Sequence, residues 1–206
     1  MTISLSEAGK RFNREWIFRK FTYTFNPAGT YAITGPNGSG KSTLLQAIAG
    51  AIHLSEGQLT AASNGDPIEA EQLFRHLSFA APYLDLVEEM TALELLAFHA
   101  SFKPFLQAFD AERILTHVGL SQARHKQIRY FSSGMKQRLK LGQAIFSDTA
   151  ILLLDEPFTN LDAAGIAMFQ ETIREYCNNR MLIISSNDPQ EYSNCRDIIR
   201  ITDYKS

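Results

Sequence analysis

Gly35-Pro36-Asn37-Gly38-Ser39-Gly40-Lys41-Ser42-Thr43 has the spacing G-x-x-x-x-G-K-S, which carries meaning only with a strand before it and a helix after it. Both neighbours are predicted. Gly29 to Thr34 is a short apolar strand, and Lys41 to Ala49 sets Leu44, Leu45, Ile48 and Ala49 at helical spacing before Gly50. The glycines let backbone N–H groups curl around phosphates, and the helix N-terminus adds positive potential. In this pattern Lys41 reaches the β- and γ-phosphates and the Ser42 hydroxyl is the expected Mg²⁺ ligand. A nucleoside triphosphate is the expected ligand of residues 35–43.

The composition around this loop is that of an ordinary soluble globular chain. Its 206 residues are 45% hydrophobic and 20% charged, which excludes a disordered chain, a collagen-like fibre and a disulfide-rich mini-domain. With 20 basic and 22 acidic residues, no broad positive field exists to hold nucleic acid or anionic lipid. Two cysteines, Cys177 and Cys195, are too few for a disulfide framework and fit a reducing compartment. The aliphatic run Ala150–Leu154 stops at Asp155, far short of the roughly 18–20 apolar residues of a span. Met1-Thr2-Ile3-Ser4 lacks the basic start and apolar stretch of a signal peptide. A cytoplasmic location is expected, with any membrane role supplied by a partner.

Three zones follow along the chain. The first 80 residues read as short strands with one helix, and Trp16 to Phe25 alternates with many aromatics. In the middle, Thr91-Ala92-Leu93-Glu94 is a capping box, followed by an apolar stripe of Leu93, Leu96, Ala97 and Ala100. Asp110 caps a second predicted helix with Ile114, Leu115 and Val118, ending at Gly119. A third starts near Gly134 and is expected to bury Met135, Leu139, Gly142 and Ile145. From Ala150, the runs Ile151–Leu154 and Met181–Ser185 are of buried parallel-strand type. A helix with Ile166, Phe169, Ile173 and Tyr176 on one face lies between them, and a last strand is expected near Ile198–Ile201.

Two further motifs carry chemistry. Ile151-Leu152-Leu153-Leu154-Asp155-Glu156-Pro157 is a buried strand ending in carboxylates. Asp155 is placed at the metal, directly or through water, and Glu156 to polarise a water for in-line attack on the γ-phosphate. Phe131-Ser132-Ser133-Gly134-Met135-Lys136-Gln137-Arg138 opens a helix, and its hydroxyl and small residues offer a second anion-binding surface. It resembles the L-S-G-G-Q signature of the ATP-binding cassette (ABC) proteins, in the variant form F-S-S-G-M.

This resemblance covers essentially the whole chain. It implies an α/β fold: a P-loop NTPase with a RecA-like core sheet, an N-terminal antiparallel β part and a helical sub-domain insert. One domain spans 1–206, with core 1–83 and 147–206 and insert about 84–146. ATP and Mg²⁺ are the implied cofactors. Ser132, Ser133, Gly134 and Met135 would act on the nucleotide of a second copy in a head-to-tail dimer. Asn160-Leu161-Asp162 looks like the D-loop, with Asp162 at the dimer seam. Phe12 occupies the place of the aromatic that stacks on adenine, with Trp16 the competing candidate. Integral membrane subunits would dock on the helical insert, from the cytoplasmic face. The implied function is the ATP-hydrolysing subunit of an ABC transporter. Its alternatives are a binding or regulatory ABC module with little hydrolysis, or a soluble ABC ATPase unconnected to transport. The short chain and the S-S-G-M-K-Q-R form resemble the haem-exporter ATPase of cytochrome c maturation, a form also found in polysaccharide and drug export cassettes.

Two positions depart from the family. After the predicted strand Leu77–Ala80, Ala81-Pro82-Tyr83 puts Pro82 where the Q-loop glutamine belongs, leaving solvent or Tyr83 to fill in. Asn187 stands in the place of the switch histidine. Its amide can donate to a γ-phosphate oxygen but cannot shuttle a proton, which points either to a tolerated substitution or to slow hydrolysis.

Overall fold

Two sheets of different kinds organise the chain in the computed structural model, which describes residues 1–205. The antiparallel sheet holds β1 (Thr2–Phe12), β2 (Glu15–Phe25), β4 (Glu56–Ser63) and β5 (Asp66–Ile68), in the order β2-β1-β4-β5. The other sheet is parallel throughout. It contains β3 (Thr30–Thr34), β6 (Leu77–Ala80), β7 (Ile151–Asp155), β8 (Met181–Ser185) and β9 (Asp197–Arg200), in the order β6-β7-β8-β3-β9. Register shifts on β1 between Leu5 and Arg11 break its alternation, so its sequence carries no clean two-residue period. The last strand ends at Arg200, and Ile201 opens a short 3-10 turn instead.

The inner parallel strands β7 and β8 are buried at every position, and their side chains divide between two cores, whereas the edge strand β9 buries only Ile199. Ile151, Leu153, Met181 and Ile183 point toward α1 (Lys41–Ile48) and the antiparallel sheet, where Leu44, Leu45, Phe18, Phe21 and Phe25 are buried. Leu152, Leu154, Leu182 and Ile184 point the other way, into a core shared with α2 (Ala92–Phe102), α3 (Ala111–His117), α4 (Ser133–Phe146) and α5 (Ala163–Tyr176). This is the two-sided burial that makes parallel strands read as unbroken apolar runs. Truncating a fully buried leucine here, such as Leu153→Ala, removes roughly 2–5 kcal/mol.

The helix starts follow their caps. Thr91 and Glu94 form the reciprocal capping box of α2, Asp110 accepts from Arg113 N at 2.8 Å, and Ser132 caps α4 through Met135 N at 3.2 Å. The stripe expected on α2 is corrected. Ala92, Leu95 and Leu96 are buried, Leu93 and Ala100 are half-buried, and Ala97 is exposed. Six of the first seven residues of α2 are apolar, so spacing alone does not select the face that meets α3 and α4. Met135 is likewise half-buried, because it sits in the first turn of α4 beside an open cleft.

A closed polar ring ties α2 to α4. Gln143 Nε2 donates to His99 Nδ1 at 2.8 Å, His99 Nε2 bonds Ser147 Oγ at 2.8 Å, and Ser147 Oγ donates to Gln143 O at 2.7 Å. The ring requires a neutral imidazole, since a proton on Nδ1 would face the Gln143 amide donor. Burial, and then the Lys103 charge, push the His99 pKa from its ordinary 6.5 down to about 4. The unfolded chain therefore binds a proton before the folded one does. The stability from this ring is complete above pH 6.5 and is lost as pH falls toward 4. Denaturant unfolding of the parent and of His99→Gln at pH 7 and pH 5 is expected to show the larger drop in the parent. Equal drops would contradict this assignment.

Candidate nucleotide-binding site

Because its strands are parallel, the five-stranded sheet gathers their carboxyl ends on one edge, where open α/β sheets bind ligands. β3 ends in the glycine-rich loop, β7 in Asp155 and Glu156, β8 in Ser185–Asn187, and β6 in Ala81–Tyr83. Four distant stretches of sequence thus meet at one edge.

At the loop itself, α1 is the helix without a side-chain N-cap. Its N-cap residue is Gly40 at φ +102°, whereas α2, α3, α4 and α5 are capped by Thr91, Asp110, Ser132 and Asp162. The first N–H groups of α1 are therefore open to an anion. A Cβ on Gly40 would also run into Ile17 of β2, which presses directly on the loop. The Lys41 ammonium, almost fully buried, donates to Gly35 O at 3.0 Å and Pro36 O at 3.3 Å, which keeps the loop curled. The adjoining cleft has a volume of about 310 Å³ and is lined by Ile17, Asn37, Lys41, Ser42, Thr43 and Glu156, among others.

Asp155 is 1% exposed, and neither of its carboxylate oxygens has a hydrogen-bond partner. Ser39 Oγ and Ser185 Oγ are buried and unpartnered as well, and Ser185 stands opposite Asp155 in the β7–β8 register. An orphaned buried carboxylate is costly unless a cation or proton meets it. Its two oxygens and the Ser42 hydroxyl fit the oxygen-only preference of Mg²⁺, which takes its remaining ligands from phosphates and water. Glu156 lies at φ +41°, and its N–H donates to Ser185 O at 2.8 Å. Asn187 reaches across 150 residues of sequence to the loop, its Nδ2 donating to Asn37 Oδ1 at 2.9 Å.

Pro82 follows β6, and Lys140 of α4 holds its carbonyl at 2.8 Å and that of Ala81 at 3.3 Å. The neighbouring Tyr83 hydroxyl is close enough to Asp155 and Gln46 to feel both, yet makes no well-formed hydrogen bond to either Asp155 oxygen. Burial foremost, with the Asp155 charge adding and Gln46 opposing, pushes the Tyr83 pKa up to about 12.

A second cleft of about 420 Å³ is lined by Ser132, Ser133, Gly134, Met135, Arg138 and Asp162, among others. It shares no lining residue with the first. Gly134 is packed so closely on the Asn160 carbonyl that a Cβ would stand 2.9 Å from it. Asp162 Oδ1 caps α5 through Gly165 N and pairs with Arg138 Nη2, both at 2.9 Å. The Gly165 N–H first, and then Arg138, hold the Asp162 carboxyl below its usual range.

The two aromatic candidates are differently placed. Trp16 has the guanidinium groups of Arg11 and Arg19 at 5.5 and 4.6 Å from its ring, and Arg19 is itself paired with Glu56. Phe12 is half-exposed at the end of β1, with Lys10 Nζ 4.9 Å from its ring centroid.

Sequence reading passed over Ile17, Ser185, Lys140, Gln137 and Glu191. Only Ile17 left a signal, since alternation along β2 turns it away from buried Phe18. Burial pushes the Glu191 carboxyl up, against hydrogen bonds from Ser186 and the Phe158 N–H, while Asp188 and Glu156 add to the rise.

A family model described as ABC transporter matches residues 18–159. The chain is 32% identical over 196 residues to the uncharacterised ABC transporter ATP-binding protein YybJ of Bacillus subtilis (strain 168), covering 92% of this chain and 87% of that protein. It is 30% identical over 189 residues to the cytochrome c biogenesis ATP-binding export protein CcmA of Mesorhizobium japonicum, covering 90% and 91%. A dimeric ATP-binding cassette solved with ADP and Pi superposes with a TM-score of 0.83 at 20% identity, over 97% of this chain and 94% of that one. No helix among the described residues is long and apolar enough to cross a membrane. The family match spans the phosphate loop, the signature segment and the acidic strand end together, and the chain belongs to the ABC transporter family as an ATP-binding cassette resembling CcmA.

Proposed function

We propose that this cassette hydrolyses ATP as a head-to-tail homodimer and drives transport, in the export direction, by separate membrane subunits. The observation that carries the reading is the pair of clefts with no common residue: one offers a phosphate loop, the other a serine-capped helix end. A two-fold pairing would lay each phosphate loop against the other copy's Ser132–Met135, with Asp162 at the seam. The cassette solved as a dimer with ADP and Pi, and the export proteins among the relatives, support this arrangement.

Each residue then has a task. Lys41 and the open N-terminus of α1 bind the β- and γ-phosphates, and Phe12 stacks on the adenine. Ser42 and Asp155 would hold Mg²⁺, which would supply charge neutralisation at the phosphate oxygens. Glu156 orients and polarises the attacking water. Asn187 donates to a γ-phosphate oxygen and moves no proton. ATP binds the closed dimer better than the open one, and that difference is the free energy available to the membrane subunits. The helical insert, about 84–146, receives those subunits. On α2, Phe98 and Phe102 are 52% and 75% exposed one turn apart, their rings 5.0 Å from each other, an apolar pair that water does not favour.

Purified parent protein is expected to hydrolyse ATP, and Glu156→Gln to lose on the order of 100-fold in kcat with ATP binding kept. A parent no faster than Glu156→Gln would instead favour the regulatory module. Asn187→His tests the weakened switch: a rise in kcat supports it, and no gain contradicts it. For docking, Phe98→Ser/Phe102→Ser is expected to keep ATPase activity while losing co-purification with a span-rich subunit from native membranes. Undiminished co-purification would place the docking face elsewhere.

A further inference from the structure

Glu156 is held in a backbone conformation that its own side chain disfavours. Its φ of +41° lies in the left-handed region, where a Cβ crowds the following carbonyl, and such geometry persists only where the surroundings over-determine it. The next residue, Pro157, has no N–H with which to stabilise the turn. Two buried side chains hold the turn, one from α4 and one from the segment after β8. Gln137 of α4, 3% exposed, donates from Nε2 to Pro157 O at 2.6 Å. Glu191, 8% exposed and lying beyond β8, accepts from Phe158 N at 2.6 Å. Pro157 and Phe158 are themselves buried, so water cannot readily replace either partner.

We propose that Gln137 and Glu191 are positioning residues that clamp the Pro157–Phe158 turn and thereby hold Glu156 toward the phosphate-loop cleft. The two grips come from two informative places. Gln137 lies on the helix whose first residues form the serine-capped surface, five positions after Ser132. Glu191 lies four positions after Asn187. A shift of α4, or of the segment after β8, would reach the Pro157–Phe158 turn through one side-chain hydrogen bond in each case, and Glu156 through that turn. The inference rests on the reading of Glu156 as the water-orienting group of an ATPase.

The test compares Gln137→Met and Glu191→Leu, which keep volume and lose the hydrogen bond, with Glu191→Gln, whose amide oxygen still accepts from Phe158 N. ATPase kinetics should show at least a 10-fold loss of kcat in the first two, with KM and the affinity for a non-hydrolysable ATP analogue within about 2-fold of the parent. Glu191→Gln should stay near parent kcat. If Gln137→Met does not fold, Gln137→Asn, which keeps the amide but is one methylene short, reads the same contact. Hydrogen exchange at the Phe158 amide is the second measurement, and it needs no turnover. It should be at least 10-fold faster in Glu191→Leu and unchanged in Glu191→Gln. A parent that does not hydrolyse ATP overturns the ATPase reading, while the exchange result still decides the clamp. Parent-like kcat in both Gln137→Met and Glu191→Leu, a parallel loss of nucleotide affinity, or unchanged exchange at Phe158 overturns the clamp.

Discussion

Backbone hydrogen bonds between β3 and β8, with Ile33 opposite Ser185, set the glycine-rich loop and the Ser185–Asn187 segment side by side. The next pairing, β8 with β7, adds Asp155 to the same edge. Parallel strands leave no choice about this: each connection must cross back over the sheet, so all carboxyl ends emerge together. α1 with the antiparallel sheet covers one face and α2 to α5 the other, so the inner strands β7 and β8 are apolar on both sides. Register matters most at the last residue. A slip of one position on β7 would exchange its side chains between two apolar cores and turn Asp155 away from the loop.

The cleft that results is organised for a ligand it must meet. Asp155, Ser39 Oγ and Ser185 Oγ are buried without partners, and an unsatisfied buried polar group costs roughly 1–3 kcal/mol. The N-terminus of α1 is uncapped, whereas the other α-helices among the described residues each have a side-chain cap. Lys41 meanwhile holds the loop by the carbonyls of Gly35 and Pro36. These open valences are what an isolated fold would avoid. A polyanion and a divalent cation together would satisfy them, and a ligand that binds only the folded chain also stabilises it.

Much of this is legible in the sequence, because local rules decide it. The phosphate loop between a strand and a helix, the Thr91–Glu94 box and the apolar runs on either side of residue 155 each follow from a few neighbouring residues. What was not legible depends on packing between elements. Nearly all-round apolar α2 does not announce that Ala92, Leu95 and Leu96 are its buried face. A glutamine in a helix and a glutamate after a turn do not announce that both reach the Pro157–Phe158 turn, since such bonds join residues 20 and 33 positions apart. The bulged β1 hid its strand period for a similar reason: its register is set by β2 and β4 rather than by its own pattern.

The carboxyl edge of the parallel sheet, with the phosphate loop at its centre, is where a nucleotide is expected to bind. Equilibrium titration of the purified chain with MgATP, alongside Lys41→Ala, addresses it most directly. Saturable binding of one nucleotide per chain, lost or weakened at least 10-fold in Lys41→Ala with the fold intact, is the predicted result. Absence of saturable binding in the parent, or equal affinity in Lys41→Ala, would contradict it.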